Sequence, residues 1–268
     1  MNSHYRLPAL LSLPLAALLA ISAAGAIFVP AVYAREVPLW AAQGTGQDWV
    51  DLVLVAPMLA AAAVLTLRGS RVGALLLAGS LGYTLYSLVL YAFFIHFGPL
   101  FLLYAWGLGL AFYGVLTLAC ALSQDDVRAW FVPRAPVRLA GATAVLLGVM
   151  FYALWLSEVM PALAAGAMPK SVLDAGLITN PVQVLDLGVV LPAFIVGGVA
   201  LVRRRPLGYW LTPAMLGLGV IMDAALVGMV LSMQARGLDG GGPPLAVFAG
   251  TAVVTAGVLA LLLWHVQR

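Results

Sequence analysis

The chain has 268 residues, 64% of them hydrophobic and 9% charged, with a formal net charge of +3 and a mean hydropathy of +1.07. A soluble domain carries about 25% charged residues and about 45–50% apolar ones, because a globule must cover itself with polar groups. The composition excludes a water-soluble globule, and the small basic excess, gathered between apolar runs, is not read as a nucleic-acid surface.

A bilayer core of about 30 Å takes about 20 apolar residues in a helix, and eight runs approach or exceed that length. The first is Ala9–Tyr33. Val32-Tyr33-Ala34 resembles a signal cleavage site, but the preceding stretch far exceeds the about 7–15 residues of a signal core. We read it as a retained helix; cleavage would leave seven spans. The second run is Asp51–Leu67, which Trp49 and Val50 can extend and which Asp48 is placed to cap. The third, Val72–Phe94, carries Tyr83, Ser87 and Tyr91 down one face at i, i+4, i+8. His96 follows in a short turn. The fourth, Leu100–Leu122, bears Gly107, Ala111 and Gly114, small residues that suit close helix packing.

The fifth run, Leu139–Ser157, ends at Glu158, where a negative charge opposes the helix dipole. The longest connection, Val159–Asn180, is apolar enough to lie on the membrane surface or fold over the bundle. Thr179-Asn180-Pro181 reads as a helix start, a polar cap before a proline. The sixth run, Pro181–Val202, places Gln183 and Asp186 on one face, and the dipole favours a carboxylate near that end. The seventh, Leu207–Ser232, holds Asp223 at hydrocarbon depth; the eighth is Leu245–Val266. Pro57, Pro192 and Pro213 interrupt three of these runs and read as kinks, or as hinges beside a cavity. No repeat of 20–50 residues is visible.

The expected fold is therefore all-α: a single polytopic transmembrane bundle of eight spans. Arg6, Arg68, Arg71, Arg128, Arg134, Arg138, Arg203, Arg204, Arg205 and Arg268 fall on one side, and only Arg35, Lys170 and Arg236 on the other. Basic loops stay inside, which puts both termini in the cytoplasm. Glu36, Asp48, Asp51, Glu158, Asp174, Asp186 and Asp239 sort to the outer side. The lone Cys120 rules out an internal disulfide or thiolate metal cluster, and no HExxH pattern or close histidine pair suggests a metal site.

Ionisable groups at membrane depth are costly and so are candidates for function. Asp51, His96, Glu158, Asp186 and Asp223 all project to the outer third, with Tyr83, Tyr91 and Gln183 as candidate polar companions. Convergence of these groups would make an acidic, tyrosine-lined, outward-facing cavity for a cation, a cationic small molecule or a proton. Dispersal would leave cap and interface residues.

Thr179-Asn180-Pro181-Val182-Gln183-Val184-Leu185-Asp186, followed by a span ending in Arg203-Arg204-Arg205-Pro206-Leu207-Gly208-Tyr209, resembles a pattern in uncharacterised bacterial integral membrane proteins, as does the stretch Gln47-Asp48 to Asp51. The resemblance covers about a quarter of the chain and implies a bacterial cytoplasmic (inner) membrane, with no activity or cofactor attached. Microbial rhodopsins do not match, since the only lysine, Lys170, lies in a loop. Three functions stand: a binding or scaffold protein, slightly favoured; a secondary transporter using Asp186 and Asp223, disfavoured because many transporters carry an internal repeat; and an intramembrane metal-dependent enzyme. Partners are the lipid bilayer and a cation or small-molecule ligand, with the oligomeric state left open.

Overall fold

A computed structural model describes residues 3–238 and 245–267; Asp239 and Arg268 lie outside the described residues. The described chain is all-helical, with eight helices long and apolar enough to cross a membrane. They are α1 Ser3–Phe28, α2 Pro38–Leu67, α3 Arg71–Phe94, α4 Phe101–Gln124, α5 Val137–Ala164, α6 Pro181–Val202, α7 Pro206–Ala235 and α8 Leu245–Trp264. Successive helices reverse direction, so Arg68, Arg71, Arg128 and Arg203–Arg205 gather at one end of the bundle. The other end carries Glu36, Glu158 and Asp174, while Asp125 and Asp126 lie beside Arg128 at the arginine end.

Three of the helix limits that differ from the sequence expectation bear on the site. α1 stops at Phe28, leaving Tyr33 in turns between helices. α2 begins at Pro38, so Asp48 lies well inside a helix and is not its cap. The stretch Gly44–Gly46 looks like loop composition, but Gly46 serves packing: a Cβ there would lie 2.4 Å from the carbonyl oxygen of Gly228 on α7. α5 continues through Pro161 to Ala164, which places Glu158 within the helix rather than at its end. The following connection contains a one-turn helix, Lys170–Asp174. The cap at Asn180 is as expected: its side chain accepts from the Val182 and Gln183 amides.

Two prolines have a common local solution. Proline removes a backbone donor, and its ring crowds the carbonyl four residues earlier. Before Pro57 the helix widens to a π-turn over Asp51–Val55, and before Pro192 it does the same over Asp186–Val190. Such π-turns inside α-helices are rare and concentrate at functional sites.

The match between these segments extends further. Asp51, Leu52, Val55, Pro57, Arg68, Gly73 and Gly82 recur 135 positions later (186 less 51) as Asp186, Leu187, Val190, Pro192, Arg203, Gly208 and Gly217. The backbone repeats with them. The Arg68 amide donates to Val64 and the Ser70 amide to Leu65; the Arg203 amide donates to Val199 and the Arg205 amide to Ala200. Gly69 and Arg204 occupy the same left-handed position, at φ 86° and 54°. The expectation of no repeat is thus corrected. The repeat is half the chain long, outside the window of 20–50 residues, and is carried by scattered positions rather than a run.

The two halves, α1–α4 and α5–α8, each contain four helices and therefore point the same way. α3 and α7 meet between them, where a Cβ on Gly79 would lie 2.9 Å from the Ala214 carbonyl oxygen. Residues 79 and 214 are equivalent positions, so the contact pairs a site with its own repeat, as at a two-fold axis. The symmetry is broken between α2 and α6. α2 packs along α7 at Gly46 and Gly228. The equivalent pair is Pro181 and Phe93, and α6 leaves a groove beside α3.

Candidate functional site

The site is built where the α2 π-turn begins. Asp48 and Asp51, three residues apart on one face, are both buried, Asp51 completely. Gly46 permits this burial by bringing the backbones of α2 and α7 together. Asp51 Oδ1 accepts a hydrogen bond of 3.0 Å from the Tyr83 hydroxyl of α3. Asp48 accepts two, from the Tyr91 hydroxyl at 2.9 Å and the Tyr33 hydroxyl at 2.5 Å. Gln47, also buried, donates to the Ser87 hydroxyl at 2.9 Å. The i, i+4, i+8 face of α3 thus supplies Tyr83, Ser87 and Tyr91 as the wall of an acidic cluster.

Burial and the neighbouring Asp48 carboxylate push the Tyr33 phenol well above its ordinary pKa. It therefore stays protonated and donates. Tyr104 of α4 stacks on Tyr91 with ring centroids 5.1 Å apart. Its hydroxyl and Asp51 Oδ2 are buried without a hydrogen-bond partner. No salt bridge joins a cationic side chain to either carboxylate among the described residues. Two buried acids surrounded by neutral donors form an electrostatically unfinished arrangement.

A small pit reaches this cluster from the acidic end. It is lined by Val32, Tyr91, His96, Pro99 and Tyr104 among others, and its volume of about 10 Å³ is the room one water needs. His96 stands on its rim, exposed, and pairs with Glu36 at 2.9 Å. It is not part of the buried cluster.

The remaining candidates form a second group around α6. Asp186 accepts from the Trp155 indole at 2.7 Å, with Tyr86 of α3 as a neighbour. Glu158 accepts from the Gln183 amide at 2.8 Å and from the Ser171 backbone N–H at 3.0 Å, fastening the 165–180 connection to α5. Asp223 is buried separately on α7, and the Thr251 hydroxyl of α8 donates to the Val247 and Phe248 carbonyls. The structure therefore brings Asp51, Tyr83 and Tyr91 together, brings Glu158, Asp186 and Gln183 together, and leaves His96 and Asp223 apart.

Asp48, Tyr33 and Tyr104 are central residues that the candidate set lacked. Asp48 was hidden by its apparent place at a helix start. Its signal was the spacing Asp48-x-x-Asp51, which aligns two carboxylates only if the helix begins earlier. Gln183 occupies the position equivalent to Asp48, and Asp186 that of Asp51. One copy carries a pair of acids, and the other an acid and an amide. Among the described residues no three His, Cys, Asp or Glu side chains gather as a metal-binding group.

The fold defines a class: eight apolar helices fit a multi-pass membrane protein. Beyond that class, the chain matches no protein-family model, no curated protein and no solved structure.

Proposed function

We propose that this is a two-repeat transport protein of a cytoplasmic membrane that takes up and releases a proton at Asp48 and Asp51. In this reading the arginine-rich end faces the cytoplasm, as basic loops do, and the pit beside His96 opens outward. The single observation that carries the proposal is the buried pair of carboxylates facing tyrosine hydroxyls and, among the described residues, no cationic side chain. Intramembrane acids of this kind mark proton and ion pathways. A proton supplies the missing positive charge without a cavity, and the adjoining void has room for about one water.

The repeat supports transport over a purely structural role. Transporters built from parallel repeats place their sites where corresponding helices of the two halves are interrupted. α2 and α6 are not broken, but both widen to a π-turn at the same point, each starting at an aspartate.

Proton uptake by the purified protein tests the reading. When unbuffered solution is acidified, an indicator dye should report fewer protons bound by Asp51→Asn than by the wild type, by about one per chain. Equal uptake by wild type, Asp48→Asn and Asp51→Asn would remove the carboxylate pair from the mechanism.

A further inference from the structure

We propose that the groove between α3, α4, α6 and α7 binds a lipophilic organic cation, an amine or onium with an apolar body, with its charge over Tyr86 and beside Asp186. The proposal rests on the two-repeat reading above and gives that protein a substrate class.

The argument starts from the broken symmetry. Asp51 and Asp186 are the same position in two copies, yet their surroundings differ in size. At Asp51 the backbones of α2 and α7 touch at Gly46 and Gly228, and the neighbouring void holds about 10 Å³. The positions equivalent to that glycine pair are Pro181 and Phe93, and Phe93 turns outward, 68% exposed. Neither can make a backbone-to-backbone contact, so α6 stands away from α3. The space left is a groove of about 690 Å³, within the range of about 300–1,000 Å³ typical of small-molecule sites.

Its lining selects the ligand. Leu185, Met215 and Leu218 give apolar walls, while Tyr86, Phe112 and Tyr113 present aromatic rings. Among the described residues no lysine, arginine or histidine lines it. Tyr86 and Leu185 bring the groove to the carboxylate, since the Tyr86 ring forms part of the wall and Leu185, also in the wall, directly precedes Asp186. Aromatic faces attract cations most strongly when water is excluded, and a carboxylate behind the ring adds to that attraction in a medium of low dielectric. An anion meets repulsion here. A neutral acyl chain gains nothing from the polar end.

The test uses the full chain in nanodiscs with tetraphenylphosphonium as probe and uncharged triphenylphosphine oxide as its comparison. Saturable binding of the phosphonium is expected, with the neutral compound at least about tenfold weaker. Asp186→Asn should weaken phosphonium binding by about tenfold, the order expected from removing one nearby charge at low dielectric. Gly109 lines the groove, and a Cβ there meets nothing within 4 Å. Gly109→Trp should therefore abolish binding while leaving the melting temperature unchanged.

Equal binding of both compounds would make the groove a seat for a lipid chain and overturn the proposal. So would phosphonium binding that survives Gly109→Trp, or no saturable binding at all. Asp51→Asn separates this inference from the proton reading: it should reduce proton uptake and leave phosphonium binding intact. Loss of phosphonium binding in Asp51→Asn would overturn the division of labour between the two copies.

Discussion

Tyr83→Phe deletes the one hydrogen bond that Asp51 receives from the described residues. Asp51 is 0% exposed, its Oδ1 accepts from Tyr83 at 3.0 Å, and its Oδ2 is already without a partner. After the substitution neither oxygen is satisfied, and leaving a buried acceptor unpaired costs about 1–3 kcal/mol. Ser87 keeps its bond from Gln47, so the cost falls on the carboxylate. Side-chain hydrogen bonds inside membrane proteins average about 0.6 kcal/mol and reach about 1.7 kcal/mol in double-mutant cycles. A carboxylate so confined belongs near the upper end, at about 1.5 kcal/mol, or about tenfold in the unfolding equilibrium. The assay is a cycle of Tyr83→Phe and Asp51→Leu, with unfolding of each variant followed by tryptophan fluorescence in mixed micelles. In the Asp51→Leu background, Tyr83→Phe should cost little, because the acceptor is gone. A coupling energy below about 0.5 kcal/mol would refute the reasoning, since such a value belongs to a pair that water or another donor serves equally well.

Further outcomes follow from the packing and the repeat. Gly46→Ala should lower the melting temperature sharply, because its Cβ would lie 2.4 Å from a backbone oxygen on α7, whereas Gly250→Ala, with nothing within 4 Å, should be neutral or stabilising by up to about 1 kcal/mol. Arg204 holds a left-handed backbone at φ 54° where the other repeat has Gly69; Arg204→Gly should stabilise by about 1 kcal/mol and Gly69→Ala should destabilise by a similar amount, both read from thermal unfolding. Gln183→Leu leaves Glu158 without one of its two donors and should loosen the 165–180 connection, seen as faster amide exchange at Ser171 and Val172.

The sequence already carried the eight apolar runs, because hydrocarbon length and arginine placement act one residue at a time and need no partner. It carried the α3 face as well: Tyr83, Ser87 and Tyr91 share a side through helical periodicity alone. It did not carry what those side chains meet. Gly44–Gly46 carries a loop signature in a linear reading, and only the approach of Gly228 explains a glycine in the middle of a membrane helix. The apolar run itself begins only at Asp51, so hydropathy puts Asp48 at a cap rather than inside the helix. The duplication was hidden for a related reason. Backbone shape at Arg68 and Arg203 is shared in full, while the side chains around it have diverged, as in Gly69 against Arg204. Glu158 and Asp186 were legible as unusual acids, but their separation from Asp51 depends on how α6 stands off from α3, a long-range packing outcome.

Infrared spectroscopy of the purified protein most directly tests the claim that the Asp48–Asp51 pair carries a proton. A carboxylic-acid C=O band from a group shielded from water should appear as the pH is lowered, and it should be missing from Asp51→Asn and altered in Tyr83→Phe. A spectrum without such a band at any pH that leaves the protein folded, or a band unchanged in both variants, would contradict the account.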